Sequence, residues 1–169
     1  DLGADIVKIE RPGPGDESRH WGPPWLNGTD GKATKESAYF LSTNRNKRSV
    51  AVDLASPDGQ ALIRKLAVDA DTCIENFKVG DLARYGLDYA SLSKVNPRLI
   101  YCSVTGFGQT GPWAARPGYD YLFQGMGGPM SVTGERDDLP GGGPQRFGLP
   151  IVDLSTGMFA AISILAALQ

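Results

Sequence analysis

A chain of 169 residues, 41% hydrophobic and 21% charged, carries enough apolar content for a folded core, and disorder over most of its length is excluded. A net charge of −2 argues against a general nucleic-acid-binding surface, so any polyanionic ligand must be met by local basic residues. There is no run of about twenty apolar residues to span a membrane, and a single histidine, His20, leaves no metal-ligand spacing to read. Cys73 and Cys102 lie in short apolar strand-like runs and read as buried free thiols, which fits a reducing compartment, cytoplasmic or mitochondrial. The missing initiator Met, and helical text still running at Gln169, read as a piece of a longer protein.

In chain order, residues 2–10 read as a helix C-terminus stopped by Gly3 and followed by a strand. From Arg11 to about Lys35 the text is rich in Pro, Gly and polar residues, which predicts a long irregular loop. Residues 48–54 predict a strand. Ser56 and Pro57 then open a helix with Ser at the cap, Pro at the first position, and Leu62, Ile63, Leu66 and Ala67 as its apolar face. A strand over 71–75, helical turns over 82–85 and 89–95, and a strand over 99–104 follow. Strands alternating with amphipathic helices indicate an α/β fold with a parallel sheet, in which ligands bind beyond the carboxyl ends of the strands.

Several local patterns hint at chemistry. The glycines at 106, 108 and 111 match a dinucleotide fingerprint, but Pro112 and Trp113 follow where a helix is required, so a loop permitting close backbone approach to a ligand is the better reading. Glu10, ending an early strand, suits a ribose-binding acid, and Arg11 beside it suits a phosphorylated ribose. The basic run at 44–48 reads as a solvated turn. Gly118 and Tyr119 precede a predicted helix that carries Asp120 in its first turn. Asp153 follows an apolar run at 148–152 read as extended and precedes an apolar helix. It suits a helix N-cap, or a nucleophile that uses the donors of the helix start. Sequence alone does not give the separation of Asp120 and Asp153.

Taken in order, the segments at 2–13, 44–49, 75–77, 96–101, 103–108, 118–120 and 153–157 resemble the class III coenzyme A transferases of the CaiB/BaiF type, the family that includes formyl-CoA transferase and succinyl-CoA:glutarate CoA-transferase. The resemblance covers nearly the whole chain. It implies a partial Rossmann-like large domain over 1–169, with parallel sheet and flanking helices, from an interlocked homodimer whose first strand and helix, small domain and C-terminal part lie outside this sequence. It further implies that Asp153 is a nucleophile that passes coenzyme A from an acyl-CoA donor to a carboxylate acceptor through an anhydride and an aspartyl-CoA thioester. No tightly bound cofactor or metal is implied; CoA is substrate. By the same resemblance Arg11 and Arg84 meet the CoA phosphates, Val52, Asp53, Leu54, Ala55, Asn76, Phe77 and Lys78 hold the adenosine part, and Pro117, Gly118, Tyr119 and Asp120 line the pantetheine path.

Two other readings compete. An acyl-CoA racemase of the same superfamily carries His where this chain has Tyr119, and a tyrosine near its ordinary pKa is a poor base at neutral pH. A non-catalytic CoA- or nucleotide-binding module is the other alternative. The text around Trp21–Trp25 and 101–106 is more similar to the dicarboxylate-using branch than to the formyl and oxalyl enzymes.

Overall fold

The computed structural model describes residues 2–169 and divides at Ala61/Leu62 into two compact units. The first is built on strand β1 (Ile6–Glu10), which runs parallel to β4 (Lys47–Ala51), with Ile6 opposite Lys47 and Glu10 opposite Ala51. Val52 extends this ladder by donating its N–H to Glu10 O at 2.9 Å. Gly3 has the positive φ expected of a helix stop, while the helix predicted before it falls outside the described residues.

The predicted irregular loop carries regular structure instead. A 3-10 turn at Glu17–His20 is capped by Asp16, which accepts from Ser18 N, and β2 (Trp25–Asn27) then pairs antiparallel with β3 (Ala33–Ser37). The glycines that suggested a loop make the hairpin turn: Gly28 N donates to Lys32 O, and Gly31 takes a φ of 76°. Ser37, fully buried, ends the hairpin and caps α1 (Ala38–Thr43). Its Oγ accepts from Phe40 N at 3.0 Å and donates to Ser18 O at 2.5 Å. Of the basic run only Arg45 and Asn46 form the expected turn; Lys47 and Arg48 already belong to β4 and pair with β1. Lys47 also donates to Thr43 O, and Arg48 grips Asp5 through both carboxylate oxygens at 2.7 and 2.8 Å.

Helix α2 (Pro57–Val68) starts as predicted, with Ser56 Oγ accepting from Gly59 N at 3.0 Å and Pro57 at the first position. Of its apolar face, Ala67 is buried, whereas Leu62 and Leu66 are each 40% exposed.

The second unit carries the parallel pair β5 (Thr72–Glu75) and β6 (Ile100–Ser103), linked through a 3-10 turn at Ala83–Tyr85 and the short helix α3 (Tyr89–Leu92). Leu82, Leu87, Leu92 and Leu99 are buried among these elements, and Asn96 Nδ2 ties them to the end of α2 through Ala67 O and Ala70 O. The molecule is thus mixed α/β with short parallel pairs. Its thiols are half-buried rather than buried. Cys73 lies opposite Tyr101 and Cys102 opposite Ile74, so alternation sends the two sulfurs to opposite faces and no disulfide joins them. Burial, with help from Glu75, pushes the Cys73 thiol up to about 11, which leaves it protonated and unreactive at neutral pH.

Beyond β6 come α4 (Asp120–Met126), a 3-10 turn at Pro129–Val132 and α5 (Ile151–Ala167). The glycine loop does allow close approach, but to another glycine: a Cβ on Gly118 would fall 2.6 Å from Gly106 Cα and 2.4 Å from the Phe123 ring. Helix α5 also departs from expectation. It begins at Ile151 with Pro150 in the cap position, so Ile151 and Val152 are helical rather than extended, and Asp153 is the third helical residue, not the cap. The acceptor a cap would supply comes from Asp120, whose Oδ1 accepts from Val152 N at 2.8 Å and Asp153 N at 3.3 Å. Gly118→Ala is expected to destabilise the protein by about 1–3 kcal/mol through overpacking against Gly106 and Phe123, read as a lower denaturant midpoint.

Candidate active site

In the first unit the strand ends carry an ionic cluster that the sequence did not reveal. Glu10 is 6% exposed and accepts four hydrogen bonds: Arg19 Nη2 (3.0 Å) and Ser49 Oγ (2.7 Å) on Oε1, Arg19 Nε (2.9 Å) and Asp16 N (2.9 Å) on Oε2. Arg19 also forks onto both oxygens of Glu36 at 2.9 Å, and its guanidinium lies 3.8 Å from the centre of the Phe40 ring. The guanidinium, seconded by Ser49 and the Asp16 amide, outweighs burial and holds the Glu10 carboxyl down to about 2. Four donors fill the carboxylate, which corrects the reading of Glu10 as a ribose acceptor.

Arg11, exposed at the following position, lines a cavity of about 340 Å³ together with His20, Lys35 and the Glu10–Arg19–Glu36 cluster, so the expected phosphate-binding arginine stands among both cations and carboxylates. Asp53 and Ala55 lie in an exposed turn and Leu54 is half-buried. Val52 N is taken by Glu10 O and Ala55 N by Asp53 Oδ1, so neither amide faces outward as a donor.

In the second unit a cavity of about 580 Å³ opens at the carboxyl ends of β5 and β6, lined among others by Glu75, Lys78, Asp88, Tyr101, Ser103 and Gln109. Three of these are joined: Ser103 Oγ bonds Glu75 Oε1 and accepts from Gln109 Nε2, while Glu75 Oε2 accepts from Phe77 N at 2.7 Å. Burial foremost, then Glu75, pushes the Tyr101 phenol well up, and its OH donates to Leu87 O. Asp88 Oδ1 is buried with no hydrogen-bond partner. Lys78 lines this cavity, and Asn76 and Phe77 are exposed beside it. Arg84 is exposed, stacked 4.6 Å from the Tyr85 ring centre, and does not line that wall.

The two carboxylates whose separation the sequence left open come together here. Asp120 starts α4, directly after the exposed Tyr119, and bonds the amide of Asp153. Asp153 itself is exposed, on the first turn of a 17-residue helix. Partial desolvation, then the charge of Asp120, raises its pKa above the ordinary value, so the carboxylate is more basic than a free one. Below both lies Gln124, only 1% exposed, which sequence reasoning passed over; a glutamine in an otherwise apolar helical run was the available signal. Pro117 and Gly118 lead into this corner, Gly118 against Gly106.

A profile described as CoA-transferase family III matches residues 1–169, the whole chain. The chain belongs to that family. Among its relatives in CoA-transferase family III are the succinate–glutarate CoA-transferase of Agrobacterium fabrum, 52% identical over 168 residues, and the succinyl-CoA:glutarate CoA-transferase of Mus musculus, 46% identical over 168 residues. Each alignment covers 99% of this chain but only 41% and 36% of the respective relative, so the chain spans about two fifths of their length. The crystal structure of a CAIB/BAIF family protein from Brucella suis superposes with a TM-score of 0.90 at 50% identity, over 99% of this chain and 42% of that one.

The ionic cluster also has a pH signature. Because Glu10 titrates near 2 when folded and near 4.5 ordinarily, its stabilisation is complete above about pH 4.5 and is lost as pH falls toward 2. Glu10→Gln should be less stable at neutral pH and lose less stability between about pH 5 and about pH 2, as measured by urea unfolding. Equal slopes for the two proteins would show that the Glu10–Arg19 pair does not set the acid limb.

Proposed function

We propose that the protein to which this chain belongs transfers coenzyme A from an acyl-CoA donor to a carboxylic acid, with Asp153 as the covalent nucleophile. The observation that carries the proposal is the exposed Asp153 carboxylate on the first turn of α5, its basicity raised beside Asp120. The Asp153 carboxylate attacks the thioester carbonyl, the C–S bond breaks, and a mixed anhydride forms as CoA leaves as thiolate. The thiolate returns to the aspartyl carbonyl, expels the donor carboxylate, and leaves an aspartyl-CoA thioester. The acceptor carboxylate attacks that thioester to form a second anhydride. Thiolate attack on the acceptor carbonyl then gives the new acyl-CoA and regenerates Asp153. No net proton is consumed, and the thioester bond energy is retained throughout.

Arg11, Val52, Asp53, Leu54 and Ala55 in the first unit, and Asn76, Phe77, Lys78 and Arg84 in the second, are assigned to the nucleotide part of CoA. The exposed Arg11 at its cavity and the placement of Lys78 at the strand ends support this. Pro117, Gly118, Tyr119 and the Asp120 backbone are assigned to pantetheine. The dicarboxylate-using relatives favour succinyl-CoA as donor and a dicarboxylate such as glutarate as acceptor. The larger assembly is a Rossmann-like domain within an interlocked homodimer. The side chains of Met158, Phe159, Ile162 and Leu165, each at least 59% exposed along α5, supply apolar surface for such an interface. Among the described residues no helix is long and apolar enough to cross a membrane.

Asp153→Ala in the full-length protein is expected to lower kcat for CoA transfer by at least about a thousandfold while CoA binding persists. Transfer at the parental rate would reject the nucleophile. Exchange of an α-proton without transfer would favour the racemase reading, and CoA binding with no turnover in the parent would favour a binding module.

A further inference from the structure

The side chain of Asp120 faces into the protein, and every polar contact it makes falls on the start of α5 or on Gln124. Oδ1 accepts from Val152 N at 2.8 Å and Asp153 N at 3.3 Å, and Oδ2 accepts from Gln124 Nε2 at 2.6 Å. Gln124 is buried and doubly anchored besides: its Oε1 accepts from Phe147 N at 2.8 Å and its Nε2 also donates to Leu149 O at 3.2 Å. One amide thereby binds α4 to the segment entering α5, while the carboxylate one turn earlier binds the first turn of α5 itself.

The hydrogen-bond polarity of this network is fixed. Turning the Gln124 amide over would place oxygen against Leu149 O and nitrogen against Phe147 N, so Nε2 must face Asp120. The residue at 120 must then accept at both oxygens: two amides on one side, an NH₂ on the other. Among side chains of this length only a carboxylate does so; asparagine would set NH₂ against NH₂. The arrangement also places a fixed negative charge next to the nucleophile. As Asp153 attacks a thioester its own charge moves away, first to the carbonyl oxygen and then to the departing sulfur, so repulsion from Asp120 is relieved along the reaction path.

We propose that Asp120, oriented by Gln124, is a positioning residue that fixes the first turn of α5 and aims the Asp153 carboxylate for attack. This rests on the reading of Asp153 as nucleophile. It assigns Asp120 an action through Asp153 rather than a side-chain contact with CoA. Nothing in the Arg11 cavity or in the strand-end cavity takes part.

The test is a rapid-quench single turnover of full-length protein with succinyl-CoA, scoring the covalent adduct on Asp153 by mass spectrometry, alongside CoA affinity by calorimetry. Asp120→Asn should form the adduct at least about tenfold more slowly, with CoA affinity within about twofold of the parent. Gln124→Met, which leaves the Asp120 charge in place but removes its anchor, should also slow adduct formation, by about threefold or more, and serves if Asp120→Asn fails to fold. Adduct formation at the parental rate in whichever variant folds overturns the proposal, as does a loss confined to CoA affinity. If the parent turns over without any adduct on Asp153, it is the nucleophile reading that fails instead.

Discussion

The second unit depends on a carboxylate that caps a helix from outside it. Helix α5 begins after a proline with no side chain of its own to bond its first amides, and Asp120, 31 residues before Ile151, supplies the acceptor instead. With the cap supplied from α4, one negative side chain holds the helix start while Asp153, on that same first turn, remains exposed.

That cap works only if α4 is held still, and two close contacts hold it. Gly118 lies against Gly106, backbone on backbone, under the edge of the Phe123 ring, and Phe107 meets Phe123 edge-on at 5.2 Å. Gln124, one turn into α4, fixes the approach segment by its bonds to Phe147 N and Leu149 O. Packing positions the helix and a buried amide selects its register. The first unit solves a comparable problem with charge: Arg19 joins Glu10 at a strand end to Glu36 in the hairpin, and the Phe40 ring covers its face.

Much of this was legible because it is local. Ser56 and Pro57 marked the start of α2, the alternation of apolar runs marked β1, β4, β5 and β6, and Asp120 in a first helical turn was visible as such. The hairpin of β2 and β3 was not, because short strands joined by glycines have the composition of a loop. Nor was the Glu10–Arg19–Glu36 cluster, whose members stand 9 and 17 residues apart with no periodicity to join them. Asp153 was misplaced for the same reason: an acid before an apolar helix resembles a cap unless a distant residue has taken that role. The sequence motifs shared with the CoA-transferases picked out Asp153 before its geometry was known, and the geometry explains why it is the exposed member of the pair.

In the proposed transfer, Asp153 carries the transferred group. The most direct test is peptide mass mapping of the full-length protein after brief incubation with an acyl-CoA donor and no acceptor. A CoA thioester is expected on the peptide containing Asp153, discharged by added dicarboxylate or by hydroxylamine. An actively transferring preparation with that peptide unmodified, or with CoA on a different residue, would contradict it.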